Sequence, residues 1–390
     1  MPLKSDPEHI SHIKTDIRPD GVLENLDVNL AGFPISIQAY AGILSTLGAG
    51  GYRDETLGLN SIDYGTDHFT CFQFDYDWRQ DIPANAARLK TFIDERRNDV
   101  QASYKRDYGI ENAEVKFDLV AHSMGAVLAR YFTRYGATDL ASADANSVTW
   151  AGTKDVERLI SIAPPNAGSL EAMEQLINGF NTGRPILPHY TPALIGTFPC
   201  VYQLLPRARH GIAVWNEDTS QPVEDLLDPD LWEQMEWGLS GKDDKTQETL
   251  RRLLPDVETP EQRQEIAKDF QRKALDRAKK FQIAMDSPAQ APDGFQMFLV
   301  AGDNRETPEV ASIDKSNGDF SILKYGLGDD VVLRSSALLD ERMGQDWKPS
   351  LVSPIHWQST LFIPGTHRSI TSGSIFEDNV LYWLLEDPRE

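Results

Sequence analysis

The segment VKFDLVAHSMGAVLARYFTRYG (115–136) constrains the chain more than any other. Its first part, VKFDLVAHS (115–123), is an apolar run of strand length, rich in β-branched residues. Its second, MGAVLARYFTRYG (124–136), carries apolar residues at helical spacing and stops at Gly136. No linker separates the two, so a strand must turn into a helix at Ser123. Such a turn demands small residues two places either side of the serine, whose side chains would otherwise collide, and Ala121 and Gly125 meet that demand. A serine at this junction is a candidate nucleophile. The helix behind it aims unpaired N–H groups and a positive dipole end at the same point, which makes the backbone N–H of Met124 a natural oxyanion donor.

The surrounding pattern supplies the sheet that such a turn needs. YAGILSTLGAGGY (40–52) reads as a short helix, and the aromatic alternation FTCFQFDYDWR (69–79) as a strand ending in a loop. A long amphipathic helix over 82–109 closes at Gly109. VERLISIAPP (156–165), FQMFLVAGD (295–303) and WQSTLFIPG (357–365) are further strands. Strands alternating with helices predict an α/β fold: a mostly parallel central sheet with helices on both faces. Between 170 and 292 the pattern breaks into prolines, Trp215, Trp232, Trp237 and a helix after Thr259–Pro260, whose stripe runs Ile266, Phe270, Ala274, Ala278, Phe281, Met285. The stripe predicts core packing and the insert a largely helical cap, with 1–169 and 293–390 forming the core.

Bulk properties exclude some functions. A net charge of −22 opposes nucleic-acid binding, which needs cations against phosphate. The two cysteines, Cys71 and Cys200, allow at most one disulfide, so a reducing compartment is the default. The first residues show no apolar signal core, and no run approaches the roughly 18 apolar residues of a spanning helix. As written the chain reads as cytoplasmic, with secretion or a periplasmic location open if a leader has been removed. No grouping of His, Cys and Asp has metal-ligand spacing and no phosphate loop is present, so neither metal nor cofactor is expected.

A serine needs a base, and the base an orienting carboxylate. In this architecture the chain order is serine, acid, histidine. His189, His210, His356 and His367 follow Ser123. His356 falls at the start of the strand WQSTLFIP, the wrong end for the site, whereas His367 follows it in PGTHRSI and is the preferred base. His122, beside the serine, is expected to point away from it and to be packed or bonded locally. For the acid, YGLGDDVVLRSSAL (325–338) puts Asp329 first, with Asp330 and Asp303 as competitors. Trp78 is a candidate for contact with an acyl chain at the mouth of the site, although an Arg79–carboxylate clamp is the preferred reading of the Asp75–Arg79 cluster.

These motifs, in this order, resemble the lecithin:cholesterol acyltransferase family, with its plant phospholipid acyltransferases and bacterial lipase-like members. GYRDETL (51–57) and FDYDWR (74–79) are similar to its segment before the nucleophile, and LVAHSMGA (119–126) to its serine elbow. LISIAPPNAGSLEAM (159–173) is similar to its following strand and Pro-x-x-Gly-Ser turn, and GDDVVLRSSAL (328–338) to its Gly-Asp-(Gly/Asp)-Thr-Val segment, with Val331 for the threonine. The resemblance implies an α/β-hydrolase fold, a Ser123–Asp329–His367 triad and lipid or other apolar ester substrates. The family's Val-Pro-Gly oxyanion loop has no counterpart ahead of NLAGFPIS (29–36), so the second donor is expected from the backbone of Gly32 or Phe33, or from a segment upstream of this sequence.

The expected activity is ester hydrolysis or O-acyl transfer through an acyl-enzyme on Ser123, with water or an alcohol as acceptor. The competing classes are a non-catalytic ligand-binding protein that keeps the fold, and a serine hydrolase of amides or thioesters.

Overall fold

The computed structural model describes residues 3, 25–30, 33–38, 40–56, 68–140, 147–180, 190–343 and 353–389. Among the described residues ten strands run in chain order: β1 (Asn25–Leu30), β2 (Phe33–Gln38), β3 (Phe117–His122), β4 (Val156–Ile162), β5 (Ala213–Trp215), β6 (Asp218–Pro222), β7 (Gln296–Gly302), β8 (Arg305–Ile313), β9 (Phe320–Gly328) and β10 (Ser359–Ile363). The central sheet has the order β10-β7-β4-β3, and every neighbouring pair in it is parallel. Ser161 lies level with Ala121 on one side and Leu299 on the other, so the carboxyl ends of the strands share one edge.

Helices cover both faces of this sheet. On one lie α1 (Ala41–Ala49) and the C-terminal helix Ser374–Leu381, over Ile160, Ile162, Phe298 and Val300. On the other lie α2 (Ile82–Tyr108) and α3 (Met124–Tyr135), over Val156 and Leu159. β4 therefore buries both its faces, which is why its sequence is apolar without alternation. The stop of α2 at Gly109 acts as read, and its N-terminus is capped. The Asp81 carboxylate accepts from the Ala84 N–H at 3.1 Å, and Gly109, at φ 68°, lets its N–H reach the Lys105 carbonyl.

The segment after β4 begins with α4 (Leu170–Asn178), continues through the short helices α5 (Pro192–Ile195), α6 (Pro199–Gln203) and α7 (Pro229–Gln234) to α8 (Asp244–Leu253), and ends in α9 (Pro260–Asp286). The Thr259 hydroxyl caps α9 through the Gln262 N–H at 3.2 Å. Five residues of the α9 stripe, from Phe270 to Met285, are buried, and Ile266 is half-buried against the same cluster. Phe281 stacks on Tyr131 of α3, and the Tyr135 hydroxyl donates to the Ala284 carbonyl at 2.8 Å. Each large apolar side chain buried here contributes about 1.5–3 kcal/mol, so α9 is part of the main core.

Two points depart from the sequence reading. Residues 69–79 form no ladder among the described residues. They are joined to the rest by one parallel bridge, Cys71 to Asp54, and turn at Trp78–Arg79, and a cavity lies between them and β3. A second sheet of order β6-β5-β8-β9 was not foreseen. It pairs β5, inside 170–292, with β8 beyond it, so hydrogen bonding crosses the expected division at 292. Trp232 and Trp237 are buried, their indole N–H groups donating to the Leu226 and Gly318 carbonyls, and Trp215 is half-buried. Among the described residues no helix is long and apolar enough to cross a membrane.

Candidate active site

Ser123 stands where β3 becomes α3, at φ 55° and ψ −128°. A non-glycine residue held in this region stores roughly 1–3 kcal/mol of strain. The turn is held from both sides: the Ser123 N–H donates to the Ile162 carbonyl of β4 at 2.8 Å, and its own carbonyl accepts from Ala126 at 3.0 Å. The hydroxyl is thereby lifted above the sheet edge, beside the first N–H groups of α3, which have no intrahelical acceptor. Met124 supplies the first of them. The steric case for Gly125 is weaker than its place in the motif suggests. A Cβ there would meet only the Tyr76 hydroxyl, at 3.5 Å, an ordinary contact.

His367 reaches Ser123 from the loop after β10. Its Nε2 lies 2.8 Å from Ser123 Oγ and its Nδ1 2.8 Å from Asp329 Oδ2. The Nδ1–H tautomer donates to the carboxylate and leaves Nε2 free to accept from the serine. The other oxygen, Asp329 Oδ1, accepts from the Val331 and Val332 N–H groups at 3.1 and 2.7 Å, so the carboxylate is fixed at both ends. Asp329 is 1% exposed, and its carbonyl also accepts from the His367 N–H at 2.6 Å.

The competing residues lie elsewhere. Asp330 is exposed, at φ 79°, and its carboxylate meets only the His367 main chain, at 3.2 Å. Asp303 follows β7, and the His367 ring bonds Asp329 instead. His356 is exposed ahead of β10, His210 lies 3.3 Å from Glu341, and His189 is outside the described residues. Arg79 forms the expected clamp, two bonds of 2.8 Å to the Asp77 carboxylate. Trp78 is 54% exposed with its ring edge-on to Phe198, on the wall of the cavity that Ser123 also lines. Of the expected second donors, Gly32 lies outside the described residues, and Phe33 is paired with Leu30 in the β1–β2 hairpin.

Several positioning groups escaped the sequence reading. Gly302, ending β7, lets the acid approach: a Cβ there would fall 2.5 Å from Asp329 Cβ. The turn after β4 grips the segment after Asp329, which includes α10 (Arg334–Leu338). Asn166 Nδ2 donates to the Ala337 carbonyl at 2.7 Å, Ser169 Oγ to Val331 at 2.9 Å, and Ser336 Oγ back to Gly168 at 2.6 Å. His122 packs against Tyr40 and His367, one of the two expected alternatives, and also makes a hydrogen bond. Its Nε2 lies 2.8 Å from the carbonyl of His367, so its bond is long-range rather than local. Desolvation, reinforced by the neighbouring His367, brings the His122 pKa down to about 3, leaving the ring neutral.

The cavity, of about 880 Å³, follows β3 along its length, from Lys116 to Ser123, with the 70–79 segment opposite. Its wall near the serine includes Tyr40, Tyr76 and Leu128, and farther along Phe74, Leu89 and Phe92. Charged side chains, among them Asp75, Arg79, Arg96 and Asp118, also line it, and apolar surface predominates. Among the described residues no three His, Cys, Asp or Glu side chains are grouped to hold a metal, and both cysteines are free thiols.

The lecithin:cholesterol acyltransferase family model matches residues 50–316, more than half of the chain, a span that contains Ser123 and ends before Asp329 and His367. A chain of the crystal structure of the Tle4–Tli4 complex is similar with a TM-score of 0.53 at 15% identity, over 89% of this chain and 75% of that one. At that identity the likeness is one of fold. No curated protein matches the chain.

Proposed function

The chain belongs to the lecithin:cholesterol acyltransferase family and has its α/β-hydrolase fold, and on that premise we propose that it is a serine-dependent lipid ester hydrolase or O-acyltransferase working through Ser123. One observation carries the reading: the continuous relay Ser123–His367–Asp329, with both links at 2.8 Å, on a strained strand-to-helix turn.

The chemistry follows from the relay. Ser123 Oγ attacks the ester carbonyl carbon as its proton passes to His367 Nε2, and the carbonyl π electrons move onto oxygen. The oxyanion faces the Met124 N–H at the start of α3, and removal of one such donor costs about 10²–10³ in rate. Asp329 keeps the imidazole in the useful tautomer and stabilises the imidazolium without taking its proton. Collapse breaks the carbon–oxygen bond, the departing alkoxide takes the proton from Nε2, and an acyl-serine remains. Water or an alcohol, deprotonated by the same nitrogen, then attacks the acyl carbon, frees Ser123 and yields the acid or a new ester.

The apolar cavity beside Ser123 favours a fatty acyl group, with Trp78 as a further contact at its wall. A series of p-nitrophenyl esters of rising chain length, with and without a long-chain alcohol, tests the reading. Turnover that rises with chain length and vanishes in Ser123→Ala supports it, and a new ester formed with the alcohol identifies transfer. Turnover that survives in Ser123→Ala overturns it.

A further inference from the structure

We propose that His122 is a positioning residue for His367, holding that residue's main-chain carbonyl so that its imidazole stands at bonding height over Ser123. The inference rests on the reading of Ser123 as nucleophile and His367 as base.

The contact joins two parts of the chain 245 residues apart. His122 Nε2–H donates to the His367 carbonyl at 2.8 Å, while the His367 N–H donates to the Asp329 carbonyl at 2.6 Å. The peptide groups on both sides of the His367 Cα are thus tied, one to the acid and one to the nucleophile strand. With both ring nitrogens also bonded, His367 has no soft torsion left along which to drift from the serine. His122 directly precedes Ser123, so the tie fixes the base relative to the nucleophile across a single residue.

The surroundings suit a neutral donor. The two imidazoles lie 4.7 Å apart and tilted by 43°, and Tyr40 presents its edge to His122 from the other side, 5.7 Å away at 70°. Nδ1 of His122 is enclosed and has no partner. A proton there would be unsatisfied, so the proton belongs on Nε2, where it serves the carbonyl. The charged and titratable groups around the ring are His367, Tyr40 and, behind His367, Asp329. A second cation at this point would oppose formation of the imidazolium, and a neutral ring does not.

The test compares His122→Gln, which keeps a donor at similar reach, with His122→Met, of similar length and no donor, and with His122→Phe, which keeps a ring. Each protein is checked for an unchanged melting temperature. Turnover of p-nitrophenyl butyrate and the rate of Ser123 labelling by a fluorophosphonate are then measured. The expected result is kcat and labelling slowed roughly tenfold in Met and Phe at little-changed KM, and restored to within about threefold in Gln, as loss and return of one hydrogen bond require. Should Phe not fold, the Gln–Met pair carries the same contrast. Full rates in Met or Phe would overturn the proposal, as would equal losses in Gln and Met. Failure of the underlying reading is distinguishable, because the unaltered protein would then leave Ser123 unlabelled.

Discussion

Asp329 and Asp330 are adjacent carboxylates with different surroundings. Asp329 is buried, gives one oxygen to two backbone N–H groups and the other to His367 Nδ1. Asp330 is exposed and meets only backbone at His367. Asp329→Asn would present an amide where the carboxylate stabilises the imidazolium, and in the relay proposed here kcat should fall about 10⁴-fold. Asp330→Asn keeps an acceptor for the His367 N–H and should stay within about fivefold of the parent. Steady-state kinetics of the two proteins decide the matter, and an equal loss, or a larger one at Asp330, would remove Asp329 from its role. The places of Ser123 at a strand-to-helix junction and of His367 in the loop after β10 were legible at this scale, because that junction and the order of chain segments leave few alternatives. The His122–His367 bond was not, because no local pattern reports a contact made across 245 residues.

At the scale of elements, the site depends on how closely β7 and the loop after β9 approach. Gly302 stands at the end of β7 because no Cβ fits: one there would lie 2.5 Å from Asp329 Cβ and 3.0 Å from its Cα. Gly302→Ala should therefore push Asp329 away from His367. The expected outcome is a loss of turnover of about 10-fold or more with the fold retained, measured by ester kinetics beside circular dichroism. Parent-like turnover would show that the loop yields at no cost. The same scale shows what sequence patterns can and cannot carry. β4 and β7 were readable because burial on both faces leaves continuous apolar runs, and the edge strands β3 and β10, half-buried, still carry apolar runs of strand length. Residues 69–79 carry strand chemistry yet form no ladder among the described residues. β8 and β9 were missed because their exposed positions interrupt the pattern: Arg305, Glu306 and Lys324 stand exposed in the second sheet. Trp232 and Trp237, read only as part of the cap, are buried and give their N–H groups to carbonyls.

Over the whole molecule, the insert is anchored to the rest by charge as well as by the apolar α9 seam. Asp286, at the end of α9, accepts from Arg207 at 2.8 and 3.0 Å and from Arg209 at 2.6 Å, and Arg209 continues to Glu341 beyond α10. Burial alone would raise both carboxyl groups. Arg207 and Arg209 more than offset it at Asp286, whose pKa is lowered, and hydrogen bonds from His210 and Arg209 bring Glu341 to about 2. Folded values below the unfolded ones, about 3.9 and 4.3, mean stability that is complete above pH ~5 and is lost as pH falls through the folded values. His122 acts in the same direction from a higher start, since its folded pKa of about 3 lies below the ordinary 6.5, and protonation of the unfolded chain draws the equilibrium away from about pH 6.5 downward. Denaturant unfolding should therefore show stability falling steadily from pH 7 to 3. Asp286→Asn, which leaves the buried Arg207 without its carboxylate, should cost about 3–5 kcal/mol at pH 7 and less at pH 3. A cost independent of pH would mean that the cluster contributes packing rather than charge.

The central claim, that His367 and Asp329 activate Ser123, is tested most directly by treating the folded protein with a fluorophosphonate and locating the adduct by peptide mass spectrometry. The account predicts stoichiometric modification of Ser123, absent in Ser123→Ala and strongly slowed in His367→Ala. An unmodified Ser123 in folded protein, under conditions that label a control serine hydrolase, would contradict it.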